Sequence, residues 1–430
     1  MDGGFEPALQ SRTQDVLDNC TACGRCVEVC PMPGPAGLDA ADAPGIAAGV
    51  LAILRGETPP DASARWASVC SGSGHCIPAC PHGVNPRFML TMARLAMQRG
   101  NDAVRRRKDG FSRFTGMTTG VRVLSRLQLP PELLARFRPE DDDAPDTSPP
   151  DVVFYTGCNL LKTPHIALLC FDIMDAMGLR YRAMGGPSHC CGVLQFRAGD
   201  LATSGRIAYR TVERLGSAGG RVLTWCPTCQ VQLGEVVTPG LPDPLALTPF
   251  LRFLAGRLDD LRPLLRHPVP KRVGLHEHPG VAGVPQAAEA ILRMIPGLEF
   301  VDLAQPRVGY MCNTLNALPE FKREVHRTQL QAAADAGVTT LAGIYHACHR
   351  ELCSHERDWP FEVVNFLELV GESMGLTRPD LFKRLKLMQD VDAVLADAAP
   401  MIGMHGLDLD EARAVVLRDM LEEQPLPLGR

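Results

Sequence analysis

Apolar positions along the chain follow two periods. At helical spacing they mark Pro44–Arg55, Pro86–Gln98 and Leu381–Ala398, the first opening with a proline where an initial helical turn tolerates one. Short apolar runs mark strands at Val152–Tyr155, Arg221–Trp225, Val273–Leu275 and Thr339–Tyr345. Between Arg138 and Pro150 both patterns stop. Four prolines and five acidic residues there cannot bury apolar surface, which predicts an exposed, extended tether.

Two of the strand runs open segments that repeat. Superposing VVFYTGC on RVGLHEH sets His278 on Cys158, an offset of 120. CCG on MCN sets Cys312 on Cys191, offset 121, and CQVQL on CHREL sets Cys348 on Cys229, offset 119. Three landmarks at one nearly constant offset imply two similar units of about 120 residues. Each runs strand, helical stretch, strand, ligand loop and strand, which is the pattern of an α/β layer. The predicted fold is α+β. An α-helical domain spans 1–137, the linker 138–150, the α/β units 151–268 and 269–372, and a helical tail 373–430.

With 45% hydrophobic and 22% charged residues the chain is globular rather than disordered. A net charge of −5 and few aromatic residues argue against nucleic acid as a partner. The start is polar and acidic, and the apolar stretch 45–54 is about half of what spans a bilayer. These features predict a cytoplasmic protein with no transmembrane segment, peripheral to a membrane only through partners. Thiols stay reduced there, so clustered cysteines read as metal ligands. Of 16 cysteines only Cys170, in the apolar run ALLCFDIM, stands apart, and it reads as a buried core residue.

Cys20-x2-Cys23-x2-Cys26-x3-Cys30-Pro31 is the run that holds a four-iron cubane, its fourth cysteine serving the other cluster of a pair. The second run, Cys70-x5-Cys76-x3-Cys80-Pro81, carries Ser73 where a cysteine belongs. The crossed rule assigns Cys20, Cys23, Cys26 and Cys80 to a [4Fe-4S] cubane. It leaves Cys30, Cys70 and Cys76 for a second cluster, with Ser73 at the fourth corner. Ser73 ligation, a [3Fe-4S] cluster, or a [4Fe-4S] cluster completed by His75 or water all satisfy that composition. A hydroxyl matches iron poorly beside thiolates, which favours the three-iron or a labile four-iron form.

Cys158, the pair Cys190-Cys191 and Cys226-x2-Cys229 form the most specific pattern in the chain. Five thiolates are too many for zinc or one cubane. His189, just before the pair, is a candidate proton donor to a leaving thiolate, or a partner that hydrogen-bonds to cluster sulfide or to backbone.

The long helical spacer between the first two runs resembles the α-helical ferredoxin domains of heterodisulfide reductase C subunits and their relatives. The five-cysteine pattern closely resembles the cysteine-rich (CCG) domain of heterodisulfide reductase B subunits. The resemblance also reaches the glycolate oxidase iron–sulfur subunit family. It implies a noncubane [4Fe-4S] cluster on Cys158, Cys190, Cys191, Cys226 and Cys229, where disulfide or thiol redox chemistry takes place. It implies a flavoprotein partner, of the heterodisulfide reductase A type or an FAD-dependent dehydrogenase, and a thiol/disulfide substrate or carrier protein. The alternative is a relay that carries electrons from a flavin-dependent glycolate, lactate or glycerol-3-phosphate dehydrogenase to quinone.

The second unit departs from the pattern. His278 replaces the first cysteine, Met311-Cys312 the pair, and Tyr345 the first member of the CxxC, with Cys348 kept. His276, His346, His349 and Cys353 are close in sequence. Cys348 and His349 with Cys353 and His278 compose a mixed site for zinc or an altered cluster, with an empty, decayed site as the third reading.

Overall fold

The structure is a computed structural model that describes residues 4–98, 100, 102–137 and 149–429. Positions 138–148 of the predicted tether lie outside the described residues. The N-terminal region is helical, with Phe5–Asn19, Ala43–Arg55, Asp61–Val69 and Pro86–Met97 as its main helices. Prolines stand in the first turns of Ala43–Arg55 and Pro86–Met97. Asn85 caps the latter by accepting from the Phe88 amide at 3.1 Å. Ile46, Val50 and Ile53, one face of Ala43–Arg55, pack with fully buried Trp66 and with Phe88.

Two four-stranded parallel sheets follow. The first contains β1 (Val152–Tyr155), β2 (Tyr181–Met184), β3 (Arg221–Thr224) and β4 (Leu247–Pro249), in the order β2-β1-β3-β4. The second contains β5 (Arg272–His276), β6 (Glu299–Val301), β7 (Thr340–Gly343) and β8 (Glu362–Asn365), in the order β6-β5-β7-β8. The two orders are the same, so the sequence repeat is a repeat of topology. All four residues of β1 are buried, as a parallel strand covered on both faces requires.

The tail is helical but more broken than its apolar spacing implies. Leu381–Ala398 forms two helices, Leu381–Leu387 and Val391–Asp397. Gln389 takes a left-handed φ of 52° and Asp390 caps the second helix, so the polar residues between the apolar turns end one element and start the next.

Packing crosses the blocks drawn from the sequence. Val123, Leu124 and Leu127, on helix Ala103–Gln128, share a core with Phe154 and Phe171 of the first α/β unit and Phe382 and Val416 of the tail. The end of block 1–137 therefore packs as part of the α/β body. The four main N-terminal helices share a second core with the first unit. Phe5 lies edge-on to Tyr209, ring centroids 5.6 Å apart, and to Phe196 at 6.4 Å. It fits because residue 205 is glycine: a Cβ there would stand 2.7 Å from the Phe5 Cβ. Burying that one ring contributes about 1.5–3 kcal/mol to holding the two parts together.

Candidate functional site

The N-terminal loops gather their thiols into two groups. Cys20, Cys23, Cys26 and Cys80 line one small cavity, and Cys30, Cys70 and Cys76 line another beside Trp66, Ser73 and Arg87. Each run lends its last cysteine to the other group. Burial pushes the Cys26 thiol up to about 12, with Cys20, Cys23 and Cys80 adding to the rise. Burial beside Cys70 and Cys30 does the same to Cys76. Thiolates this crowded repel one another unless a cation lies between them, so both donor sets fit iron–sulfur clusters. Trp66 Nε1 donates to Cys30 Sγ at 3.4 Å, a contact that favours the charged sulfur.

Cys23 is exposed, so the first group reaches the surface. The second group faces inward. The Ser73 hydroxyl accepts from the Gly309 amide of the second unit at 2.7 Å and shares a hydrogen bond with Ser71 at 3.0 Å. His75, the other protein candidate for the fourth corner, reaches the Arg307 carbonyl at 3.4 Å.

In the first α/β unit Cys158 follows β1, the pair Cys190-Cys191 follows β2, and Cys226 and Cys229 follow β3. All five leave the carboxyl ends of parallel strands. The chain departs from β1 to β2 on one side and returns to β3 on the other, which opens a crevice there. All five are buried. Bonds from Cys158 and Cys191 hold Cys190 well below the usual thiol range, and bonds from Cys229 and His346 hold Cys226 below it. Cys190 in turn pushes Cys191 well above that range. Gly157, at φ 69°, permits this crowding: a Cβ there would lie 3.0 Å from both Cys226 Cβ and Cys229 Sγ. Five buried thiols at the ends of one sheet's strands exceed the ligand count of zinc or a cubane and fit an iron–sulfur cluster.

His189 is held by its own loop. Its Nδ1 makes hydrogen bonds of 3.2 Å to the Gly185 carbonyl and the Ser188 hydroxyl, while the Tyr155 hydroxyl donates to its own carbonyl at 2.8 Å. Burial pushes the imidazole below its ordinary range. The contacts seen are those of a loop support. The imidazole that acts on one of these five thiols is His346 of the second unit, which helps to lower Cys226. Nothing in the spacing pointed to it, because the contact crosses from one repeat to the other.

The second unit gathers a different set from the one its sequence suggests. His276, His278, Cys312 and Cys348 converge, all buried, while Cys353 and His349 lie elsewhere. Cys348 and His349 are neighbours on helix His346–Leu352, where successive side chains diverge by about 100°. His349 consequently turns to Asp380, Nε2 to Oδ2 at 2.6 Å, and Cys353, one turn beyond Cys348, is buried beside Lys386. His276 takes their place. Its His-x-His spacing with His278, at the end of a strand where alternate residues share a face, was the readable signal.

Arg87 joins the three parts. It pairs with Glu235 of the first unit and donates to the carbonyls of Gly72 at 2.7 Å and Gly280 at 2.6 Å. Beside it a cleft of about 410 Å³ runs from Cys70 and Gly72 past Arg94 and Arg197 to Thr228, between Cys226 and Cys229.

Two families of known domains match the chain. The cysteine-rich CCG domain family matches residues 152–234 and the 4Fe-4S binding domain family matches residues 14–32. The chain is 23% identical to the D subunit of dihydromethanophenazine:CoB–CoM heterodisulfide reductase from Methanosarcina mazei, over 84% of this chain and 94% of that protein. The corresponding D subunit from Methanosarcina barkeri is 22% identical over 84% of this chain and 95% of its own length. The B subunit of fumarate reductase (CoM/CoB) from Methanothermobacter marburgensis is 22% identical over 82% of this chain and 60% of that protein. The chain is thus heterodisulfide-reductase-like over most of its length, with a ferredoxin-type domain followed by a CCG domain. Among the described residues no helix is long and apolar enough to cross a membrane.

Proposed function

We propose that the chain is the iron–sulfur subunit of a heterodisulfide-reductase-like oxidoreductase, carrying electrons between a partner and a thiol/disulfide site in its first α/β unit. The observation that carries this reading is the set of five buried thiols at the strand ends of that unit, set against two thiols at the matching place in the second. A pure relay has no use for five converging thiolates.

In this reading Cys20, Cys23, Cys26 and Cys80 hold a [4Fe-4S] cubane, and exposed Cys23 marks where electrons cross to a partner. Cys30, Cys70 and Cys76 hold the second cluster, in the three-iron form, because the Ser73 hydroxyl is engaged by Gly309 and Ser71. Cys158, Cys190, Cys191, Cys226 and Cys229 hold a noncubane [4Fe-4S] cluster. Such a cluster, when bound, supplies one-electron chemistry at a metal face with affinity for sulfur. Gly157 leaves it space, His346 fixes the Cys226 sulfur, and His189 holds the loop before the pair. The cleft lets a substrate approach Thr228 past the guanidinium groups of Arg94 and Arg197, which suits an anionic thiol or disulfide. No glycine-rich dinucleotide fingerprint follows a strand, so electrons are exchanged with a flavoprotein partner, in the cytoplasm or at a membrane through that partner.

The test compares two equivalent positions in the native complex. Cys191→Ala is expected to abolish thiol/disulfide turnover and lower iron while the cubane signal survives. Cys312→Ala is expected to lower stability or metal content with residual turnover. Equal loss of turnover in both, with full iron kept in Cys191→Ala, would overturn the reading in favour of a relay to quinone.

A further inference from the structure

The repeat puts His278 where the first unit has Cys158, Cys312 where it has Cys191, and Cys348 where it has Cys229. His276 stands one step further back, on the same face of the strand end as His278. The two sulfur positions without a counterpart, Cys190 and Cys226, are taken by Met311 and Tyr345, both buried. What remains is a set of two thiols and two imidazoles, each at most 3% exposed.

Their geometry is compact. His276 Nε2 lies 3.1 Å from His278 Nε2 and 3.0 Å from Cys312 Sγ, and Cys312 Sγ lies 3.6 Å from His278 Nε2. All four ligand atoms, Cys348 Sγ included, fall within 4.8 Å of one another. Zinc–nitrogen and zinc–sulfur bonds of about 2.0 and 2.3 Å place the corners of a tetrahedron about 3.3–3.8 Å apart. The observed spacing is close to that figure.

The outer nitrogens decide which atom each ring offers. His278 Nδ1 meets the Val308 carbonyl at 2.6 Å, and His276 Nδ1 meets Gln329 Oε1. A carbonyl oxygen only accepts, so both rings carry their proton on Nδ1 and direct an Nε2 lone pair inward. Two lone pairs facing each other at 3.1 Å in a dry site repel unless a positive centre sits between them. Metal-bound histidines characteristically show this arrangement, with the outer N–H held by an oxygen and the inner nitrogen bare.

We propose that the second α/β unit holds one zinc ion on His276, His278, Cys312 and Cys348. Four protein ligands leave no open position, so the site is structural rather than catalytic. Two thiolates and two neutral imidazoles neutralise a divalent zinc ion, which suits burial; the two thiol protons pass to solvent on binding. The ion ties β5, the loop at Met311-Cys312 and helix His346–Leu352 together. That loop continues from Gly309, which donates to Ser73, and His278 lies two residues from Gly280, which accepts from Arg87. The zinc site therefore braces the surface on which the second ferredoxin-type group rests. This inference stands whether or not the first unit performs sulfur chemistry.

The test uses the full chain, purified without oxygen, with metal content and zinc K-edge X-ray absorption as readouts. The expected result is about one zinc per chain, with two sulfur neighbours near 2.3 Å and two nitrogen neighbours near 2.0 Å. His276→Gln and Cys348→Ser, dialysed against a chelator, are expected to retain at least about tenfold less zinc while keeping the iron of the ferredoxin-type groups. Cys191→Ala is expected to lose iron and keep zinc. Zinc at trace level in protein with filled ferredoxin-type clusters would overturn the proposal. So would a zinc shell without sulfur, or loss of iron rather than zinc from the two variants. The absorption measurement on unaltered protein stands independently of whether a variant folds.

Discussion

The Ser73 hydroxyl, at the place where a four-cysteine run has its second cysteine, accepts a hydrogen bond from the Gly309 amide at 2.7 Å. The residue at that place thus makes a contact between the N-terminal domain and the second α/β unit. Ser73→Cys is expected to restore a four-thiolate set, so the three-iron electron paramagnetic resonance signal of the oxidised protein disappears. Ser73→Ala is expected to leave that signal and cost about 1–3 kcal/mol, because the Gly309 N–H is left unpaired. A three-iron signal that persists unchanged in Ser73→Cys would show that position 73 does not face the cluster.

Gly157 tests the packing of the first CCG site. Its φ of 69° and the 3.0 Å approach of Cys226 and Cys229 leave no place for a methyl group. Gly157→Ala is expected to lower iron in the first unit and turnover together, with the cubane signal unaffected. Full iron content in this variant would mean that the loop relaxes at little cost.

The shared core around Phe5 predicts what cleavage in the acidic, proline-rich segment 138–148 does. Because Phe5 packs on Tyr209 and Phe196, the two fragments are expected to elute as one particle that keeps its iron. Phe5→Ala, a loss of about 3–5 kcal/mol of core packing, is expected to lower the melting temperature of the nicked particle without separating the fragments, because Val123, Leu124 and Leu127 stay in the other core. Separation of the unaltered nicked protein would contradict the shared core.

Stability is expected to fall as pH drops below neutrality. His355 is buried, its Nε2 has no hydrogen-bond partner, and burial together with nearby Lys386 lowers its pKa to about 4. The unfolded chain, with an ordinary imidazole, takes up the proton first. Stability is therefore fully present above about pH 6.5 and is lost as pH falls toward 4, by about 2 kcal/mol at pH 5. Melting temperatures of wild type and His355→Gln between pH 7.5 and 5 check this. The variant's curve is expected to be flatter, and parallel curves would exclude His355 as the cause.

Much of the local structure was legible in the residues. Pro44 and Pro86 marked helix starts, VVFY became β1 without a shift of either end, and the constant offset revealed two units of one topology. The cysteine spacings pointed to the same first two thiol groups that the fold gathers into small cavities, because short loops leave few alternatives. These are local facts, and chain geometry over a few residues settles them.

The contacts that give the sites their surroundings are not local. Cys353 and His349 sit near Cys348 in sequence, yet helical rotation sends them to other neighbours, while His276 reaches the site across a strand end. His346 meets Cys226 from 120 residues away, and Phe5 closes on Gly205 from 200. Such pairings depend on how two sheets and a helical domain bury one another's apolar faces. That burial is a property of the whole packed core, so no window of sequence specifies it.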